Sequence, residues 1–594
     1  MNILGISAFY HESACCLLRD GELVAAASEE RFSRIKHDPR PPVEAFRWCL
    51  DRADLCVADL DAVAYFEDPV RKLGRQLWAG VPATSEAAHD GGWRDPRRPE
   101  DQLRRRLGFE TPFLTFPHHH SHAASAFSYS GFDEAAILTV DGVGEWATAT
   151  YGLGTAAGLE VFEEVRFPHS LGLLYAALTS YLGFGVNDGE YKVMGLAPYG
   201  RPRFVDEICQ LVGMGPDGQF ALHLRYFDFL RGRRMFSEDL PRLFGRPPRR
   251  PEEPLDAFHH DVARSLQLVV EEILLEKAAY LHRRTGSDRL CLAGGVALNC
   301  VANGRLLREG PFREIYIPPA PGDAGACLGA AALAHRRLSG DSLCRGRLDH
   351  AFLGPSFEAD AVAALIAETP LEAEDHRGRE SELCQAVAER LDEGRVVGWF
   401  QGAMEFGPRA LGARSILADP RDPAMRDRLN AVVKKREGFR PFAPSVLAEA
   451  APRLFDLEPA NPGDPATFML QTCRVTADLD LPAVTHVDGS ARPQVVDEGG
   501  GGPLGRYAAL LRAFEERTRV PLLVNTSFNV RGEPIVASPI DALFCLGHSG
   551  IDTLVLEDQL IDREGMPSNW PRLFEAWERR SGSTRLDRRL YTFV

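Results

Sequence analysis

The chain lacks any apolar run extending much beyond about ten residues, so no stretch of it is long enough to cross a bilayer as a helix. Its first residues, MNILGIS, carry neither the basic n-region nor the extended apolar core of a signal peptide, and the expected location is the cytoplasm. Twelve cysteines include no C-x-x-C pair, and only Cys15 and Cys16 are adjacent; this is the pattern of reduced core thiols, not of a disulfide or zinc framework. Net positive charge is also missing. A formal charge of −16 argues against nonspecific binding of nucleic acid, though it leaves room for a local basic pocket. Lysine is scarce, six of the 68 basic residues, which makes the pair Lys434-Lys435 conspicuous. No internal period of roughly 20–50 residues is visible, which removes solenoids and propellers.

What is present fits a soluble protein of more than one domain: 594 residues, 45% hydrophobic and 26% charged. The opening NILGIS and SACCLLRDGELVAAASEE read as three strands, with Asp20-Gly21 as the hairpin turn. An Arg-rich polar stretch around 86–106 and a Pro- and Arg-rich stretch over 239–256 read as loops. AAILTV and EWATATYGLG form a second hairpin across Asp141. Val262, Leu266, Val269, Ile273 and Leu274 keep a helical period that ends in arginines and Gly286. RLCLAGGVALN runs from strand through glycine turn to helix. This order of elements suits an actin-like α/β ATPase fold with two related halves. The weakly periodic, Gly-containing stretch near 340–356 marks a domain boundary, giving domains 1–350 and 351–594. Beyond it come a helix over 381–393, the strand RVVGWF and the loop QGAMEFGPRALGARS.

Between Phe116 and Ser125 the sequence FPHHHSHAAS places His118 and His122 four apart, on one face of a helix, as two imidazoles on one ion require. His119 and His120 point elsewhere. Such histidines alone are commonly a hydrogen-bonded face; the acidic strand-end loop Asp141-Gly142-Val-Gly144-Glu145 turns the reading toward metal and phosphate. Asp323 opens an Ala-rich helix, either as its N-cap or as a further metal ligand. Two histidines with Asp141 and Asp323 would suit a divalent transition metal: iron first, manganese or zinc as alternatives. Gly294-Gly295 follows an apolar strand and precedes Asn299, where backbone can approach a nucleotide closely. His11 lies just past the first strand and is either a general base or a loop histidine without a role. The Asn187–Gly195 segment, NDGEYKVMG, reads as a polar, glycine-bounded loop.

The second half is denser in cations. Arg409 and Arg414 flank GPRALGARS; Lys434, Lys435, Arg436 and Arg440 follow in KKREGFRPFAP, then Arg492 and Arg531 in THVDGSARPQ and VNTSFNVRGEP. Guanidinium groups bracketed by glycines suit bidentate grip on phosphate oxygens.

HHHSHAASAF, VDGVGEW, NDGEYKVMGLAPYG, GGVALN, PGDAGACLGAA, MEFGPRALGARSILADPR, KKREGFRPFAPSVL, THVDGSARPQ and VNTSFNVRGEPIV, in this order over nearly the whole chain, resemble the O-carbamoyltransferases of the NodU/CmcH/TobZ type. The resemblance implies an actin-like (ASKHA) ATPase-type N-terminal domain followed by a YrdC-like α/β C-terminal domain. It implies that the C-terminal domain makes carbamoyl-adenylate from carbamoyl phosphate and Mg-ATP. Arg409, Arg414, Lys434, Arg436, Arg440 and Arg531 would clamp phosphate and carbamoyl oxygens, beside Asn525 and Ser527. The N-terminal domain would bind the adenylate around Gly142, Gly144, Gly294, Gly295 and Asn299. A metal on His118, His122, Asp141 and Asp323 would polarise the carbonyl, and His11 would deprotonate a hydroxylated small-molecule acceptor. Such acceptors include antibiotics, nodulation oligosaccharides and other secondary metabolites; the arginine bias of a GC-rich source favours an antibiotic.

Three other readings compete. A tRNA threonylcarbamoyl-modifying enzyme would share both domain types but needs a polyanion-binding surface, which −16 disfavours. A non-catalytic nucleotide-gated binding protein would leave the second, cationic domain without a role. A metallopeptidase would need the glutamate of H-E-x-x-H, and Ser121 stands inside this histidine pair instead. A homodimer is compatible with the chain's size, and nothing in the sequence requires one.

Overall fold

A computed structural model describes residues 1–80, 95–230, 234–343, 346–458, 463–500, 503–567 and 569–570. They fall into two compact units. Of the described residues, the first takes Met1–Glu29 and His37–Leu348, and the second takes Glu30–Lys36 and those from Asp349 onward. The main junction follows Leu348, and the transfer of Glu30–Lys36 to the second unit has no signature in the sequence.

The first unit is built on two five-stranded sheets of one design. In the first sheet β1 (Asn2–Ser7), β2 (Ala14–Arg19) and β3 (Glu22–Ser28) form an antiparallel meander, and β4 (Ala62–Tyr65) and β5 (Phe113–Thr115) continue parallel to β1, giving the order β3-β2-β1-β4-β5. The β2–β3 turn is Asp20 (φ 51°) and Gly21 (φ 85°), both left-handed, as a two-residue hairpin turn demands. The second sheet repeats this with the meander β6 (Glu134–Val140), β7 (Ala147–Thr155) and β8 (Gly158–Arg166). A small hairpin, β9 (Val212–Met214) with β10 (Phe220–Leu222), stands apart. The parallel strands β11 (Arg289–Ala293) and β12 (Glu314–Tyr316) then complete the order β12-β11-β6-β7-β8. Two copies of one meander-plus-parallel sheet are the actin-like architecture expected from the motif order.

Small residues draw the site-bearing elements together. The helix Asp323–Ser339 packs on β1, β2 and β4 and on the helix His118–Phe127. A Cβ on Gly329 would lie 1.8 Å from the Ser121 carbonyl oxygen, and one on Gly5 would lie 2.1 Å from that of Cys327. Only glycine permits such backbone contact.

The second unit holds an eight-stranded mixed sheet. Its strands are β13 (Glu374–Asp375), β14 (Val397–Phe400), β15 (Arg414–Ala418), β16 (Ala443–Leu447), β19 (Gln494–Val496), β20 (Leu522–Ser527), β21 (Thr553–Leu556) and β22 (Gln559–Asp562), in the order β13-β22-β21-β14-β15-β20-β16-β19. The pair β17 (Cys473–Arg474) and β18 (Ser490–Ala491) is separate. The helices Glu380–Asp392 and Pro503–Thr518 pack together, and Trp399 is fully buried in the core.

Three stretches read as loops depart from expectation. Residues 81–94, within or beside the Arg-rich stretch, lie outside the described residues, but Arg98–Leu107 is a helix that buries Leu103 and Leu107 and ends on Gly108 (φ 78°). Asp239–Phe244 is helical because Leu240 and Phe244 are buried, one turn apart. Glu190–Leu196 is helical as well; the Glu190 carboxylate accepts the N–H groups of Asn187 (3.0 Å) and Gly189 (3.1 Å), which turns the polar segment into a helix start. In each case a few tertiary contacts outweigh the polar composition.

Candidate functional site

Four donor atoms converge in the first unit. The helical spacing puts His118 and His122 on one face, with their Nε2 atoms 3.0 Å apart. His118 Nε2 lies 3.1 Å from Asp141 Oδ2 and 3.5 Å from Asp323 Oδ1; His122 Nε2 lies 3.9 Å and 3.3 Å from the same two oxygens. All four side chains are buried, and all four donor atoms lie within 4.8 Å of one another. Ligand bonds of about 2.0–2.2 Å set neighbouring donors roughly 3.0–3.5 Å apart, so the set has the dimensions of a divalent-metal shell. Asp323 Oδ2 is buried with no hydrogen-bond partner, as befits a carboxylate directed at an ion. Asp323 is the first residue of its helix, whose N-cap is Gly322, so its carboxylate serves the cluster and not the cap.

The charges answer one another. Burial opposes an imidazolium at His118, yet the carboxylates of Asp323 and Asp141 outweigh it and raise its pKa to about 9. Asp141 is pulled well below the usual carboxylate range: burial acts against this, but the hydrogen bond and charge of His118 and the charge of His122 prevail. His119 faces away, with Nδ1 2.6 Å from Thr139 Oγ1, and burial followed by the neighbouring imidazoles holds it well below the ordinary histidine value.

A second layer of contacts sets the cluster. Glu145 Oε1 accepts the backbone N–H of His118 (2.8 Å) and of Asp68 (2.7 Å), fixing the start of the His118 helix. Ser170 Oγ donates to the Gly142 carbonyl at 2.6 Å. Gly144 leaves room for His118, whose ring atoms would lie 3.0 Å from a Cβ there. Gly295 N–H donates to Asp141 Oδ1 at 2.9 Å, so the glycine turn after β11 meets the strand-end loop after β6. Gly294, at φ 94°, takes a conformation only glycine adopts readily, and a Cβ would lie 2.3 Å from the Val140 carbonyl oxygen. Asn299 is placed a few residues on, where its side chain caps the following helix at Ala302 N (3.1 Å) and exchanges hydrogen bonds with Gln267.

His11 is half-buried on the β1–β2 loop, 4.7 Å from the Tyr10 ring and 6.2 Å from that of His37. Its neighbour Glu12 approaches His37 Nδ1 at 3.2 Å, and Glu12 Oε2 lies 3.9 Å from the position of a Cβ on Gly322. Gly322 precedes Asp323, so the His11 loop adjoins the foot of the helix that supplies the fourth donor.

In the second unit the predicted cations separate by role. Arg414 is completely buried; its guanidinium donates to the carbonyls of Gln401 (2.9 Å), Ala413 (3.1 Å), Pro355 (3.0 Å) and Gly402 (2.9 Å) and stacks 3.5 Å from the Phe400 ring centroid. Burial lowers its pKa to about 10. It is an internal strut, not the phosphate clamp expected, because its donors are directed at main chain. Lys434 is buried, and its Nζ donates to Ser527 O (2.8 Å), Ser527 Oγ (3.2 Å), Asn529 O (2.7 Å) and Asn529 Oδ1 (2.5 Å). Burial first, then Arg436, Arg440 and Lys36, depress its pKa well below the lysine norm. The positive charges of Arg436, Arg440 and Lys36 all act on Lys434. Arg436 holds Asn430 Oδ1 at 2.7 Å and lies 4.5 Å from the Phe442 ring centroid, and Arg440 is 3.7 Å from Glu437.

Arg409 is half-buried in the loop between β14 and β15, whose backbone is gathered by Glu405: Oε1 accepts from Leu411 (2.7 Å), Ala413 (2.8 Å) and Arg414 (3.1 Å). Asn525 is buried and ties Ala410 O (3.2 Å), Ser445 Oγ (2.9 Å) and Gln494 Oε1 (2.9 Å) together. Arg531 is exposed and Arg492 half-buried. Sequence reasoning placed Glu145 in the acidic strand-end loop without giving it a role, and it missed Glu405 and Lys36. Lys36 is one of only six lysines, but its distance along the chain from Lys434 concealed it.

Fold and site thus define an actin-like α/β protein with a buried two-histidine, two-aspartate centre, joined to a second α/β unit rich in cations. Family models place it further: the carbamoyltransferase N-terminus matches residues 2–73 and 99–332, and the carbamoyltransferase C-terminus matches 388–563. The chain belongs to the carbamoyltransferase family and is an enzyme of that class. Relatives include an uncharacterised protein of Synechocystis sp., 42% identical over 97% of this chain and 99% of its own. The nodulation protein NolNO of Sinorhizobium fredii is 40% identical over 96% of this chain and 81% of its own. Among solved structures, HypF of T. kodakarensis is similar over 57% of this chain and 48% of its own, at 15% identity and a TM-score of 0.31. No described helix is long and apolar enough to cross a membrane.

Proposed function

We propose that the enzyme is an ATP-dependent O-carbamoyltransferase working in two steps, one in each unit. In the second unit water cleaves the carbamoyl–phosphate linkage, giving carbamate and releasing inorganic phosphate. A carbamate oxygen then attacks the α-phosphorus of Mg-ATP, pyrophosphate leaves, and carbamoyl-adenylate forms. The observation that carries this reading is the buried Lys434, held by Ser527 and Asn529, with Arg436 and Arg440 just after it in sequence and the positive charges of Arg436, Arg440 and Lys36 acting on it. Like charges gathered under desolvation are costly unless an anion joins them, and phosphate oxygens are the natural counter-charge. Arg409 and Arg531, on neighbouring loops, and Ser527 on β20 supply further donors, whereas Asn525, expected to bind substrate, spends its amide N–H groups on Ala410, Ser445 and Gln494.

In the first unit a hydroxyl of a small metabolite attacks the carbamoyl carbon, AMP leaves, and His11 takes the hydroxyl proton. Catalysis of that kind is typically worth about 10²- to 10⁴-fold. His118, His122, Asp141 and Asp323 would hold a divalent metal, with iron, manganese and zinc all compatible with two imidazoles and two carboxylates, and it would supply Lewis acidity toward the carbonyl and phosphate. The adenylate is assigned to the neighbourhood of the Gly294-Gly295 turn and the Gly142–Gly144 loop, which meet where Gly295 N–H donates to Asp141 Oδ1. The net charge of −16 favours a small acceptor over a nucleic acid, and antibiotic or related natural-product biosynthesis is the proposed setting.

The test is mass spectrometry of purified enzyme incubated with ATP, carbamoyl phosphate and magnesium without acceptor. Pyrophosphate and carbamoyl-adenylate are expected. ATP left intact, or cleaved only to ADP, would remove the adenylate reading.

A further inference from the structure

We infer that Arg31 and Arg34, from the amino-terminal part of the chain, are positioning residues of the adenylate-forming centre, an inference that rests on the two-step reading above. After β3 the chain leaves the first unit at Glu29 and returns to it at His37; Glu30–Lys36 between them belongs to the second unit. This short segment opens with the helix Glu30–Ser33. It is not a passive linker, because each of its two arginines is spent on a separate loop.

Arg31 is buried, and its Nη2 donates to the Gly407 carbonyl at 2.9 Å. Gly407 lies two residues before Arg409, at φ 126°. Arg34 Nη1 donates to the Ile535 carbonyl at 2.6 Å and Nη2 to that of Pro534 at 3.0 Å, while Nε lies 3.4 Å from Asp541 Oδ1. Those carbonyls follow Arg531 in the VRGEPIV turn. Asp541 in turn accepts the N–H groups of Ala537 (3.1 Å) and Ser538 (2.9 Å) at the start of the helix Pro539–His548. One arginine therefore holds the loop of Arg409, and the other holds the turn of Arg531 against a helix end.

Both loops are rich in glycine and proline, so their own sequence does little to fix where their arginines stand. A guanidinium that grips several main-chain oxygens in a planar fork supplies that fixity, and a lysine cannot copy the two-carbonyl grip of Arg34. Loosening of a supporting residue by about an ångström is enough to cost on the order of 10²-fold in a positioned reaction. The family model of the carboxy-terminal part covers 388–563 and leaves this segment out, so the centre extends beyond the chain segment that defines it.

The experiment uses full-length enzyme and four variants, Arg31→Ala, Arg34→Ala, Arg31→Lys and Arg34→Lys. Pyrophosphate release with carbamoyl phosphate and ATP is measured beside carbamoyl transfer from supplied carbamoyl-adenylate, together with thermal melting. Both alanine variants should lose roughly tenfold or more in pyrophosphate release, with transfer from the supplied adenylate unchanged. Arg31→Lys, which keeps one hydrogen bond to Gly407, should recover most of the loss, and Arg34→Lys should not. Unchanged pyrophosphate release in both alanine variants overturns the inference, as does an equal fall in both steps with a lowered melting temperature. If the unaltered enzyme itself releases no pyrophosphate, the two-step reading falls, and the inference with it.

Discussion

The two units solve the problem of holding polar groups inside a protein in opposite ways. In the first, imidazoles and carboxylates neutralise one another across 3.1–3.9 Å, and Asp141 is driven down while His118 is driven up. In the second, buried cations face main-chain carbonyls: four for Arg414 and two, with two side-chain oxygens, for Lys434. Carbonyl dipoles solvate a cation without cancelling its charge. The first arrangement suits a divalent cation, and the second holds its cations through fixed carbonyl dipoles. The contrast gives each unit a distinct vulnerability.

The largest expected effect comes from breaking the first arrangement alone. Asp323→Asn keeps the shape of the side chain and removes one negative charge from the donor set. A neutral carboxamide is a poor ligand, so metal content should fall below one equivalent and transfer from supplied carbamoyl-adenylate should drop by about 10³-fold or more. Pyrophosphate release should be untouched, because the groups proposed for it lie in the other unit. Elemental analysis and the two separate assays check this; a variant that transfers normally without metal would dissolve the contrast.

Next in size is a change that attacks the second arrangement without touching phosphate chemistry. Arg414→Ala removes one guanidinium from four carbonyls and from the Phe400 ring, deep in the core. Hydrogen bonds from charged donors are worth about 1.5–3 kcal/mol each, although such losses are not additive, and a net destabilisation of roughly 3–5 kcal/mol is expected in denaturant unfolding. If Arg414 acted mainly as a clamp, the variant would instead keep its stability and lose affinity for carbamoyl phosphate.

The same contrast explains what the sequence disclosed. His118 and His122 were legible because helical spacing alone decides that they share a face, and Asp141 because a strand end followed by glycines projects its side chain at a sheet edge. The hairpin of Asp20-Gly21 and the glycine turn at Gly294 were legible for the same reason: backbone rules act locally. The arginines were not separable by role. Whether a guanidinium meets Pro355 and Gly402, as in Arg414, or stands exposed, as in Arg531, depends on which loops the fold brings near, and flanking glycines look alike in both cases. Asp323 kept two readings until the His118 helix was seen beside it. Lys36, Arg31 and Arg34 were invisible because their partners are hundreds of residues away. The missed helices at Arg98–Leu107 and Glu190–Leu196 had polar sequences whose few buried positions carried the outcome.

The smallest effect sharpens the comparison through pH. Glu557 is a buried carboxyl in the second unit, and burial raises its pKa to about 7, against the pull of Arg414, the Gly402 N–H and Arg506. This is the reverse of Asp141, which has imidazoles for partners. A carboxyl raised in the folded state still holds its proton where the unfolded chain has released it. Stability is therefore greatest at acid pH and is lost as pH rises from the ordinary glutamate value of about 4.3 toward 7. The difference between the two values corresponds to a loss on the order of 3–4 kcal/mol by pH 8, the larger part of it above pH 5. Glu557→Gln retains an oxygen for the Gly402 N–H, which now donates to Glu557 Oε1 at 2.8 Å, but cannot ionise. Denaturant unfolding of the second unit at pH 5 and pH 8 should show the wild type losing roughly 2 kcal/mol more than the variant across that interval. Parallel pH dependence in the two proteins would mean that Arg414 and Arg506 already neutralise Glu557, and that the second unit pairs its buried charges as closely as the first.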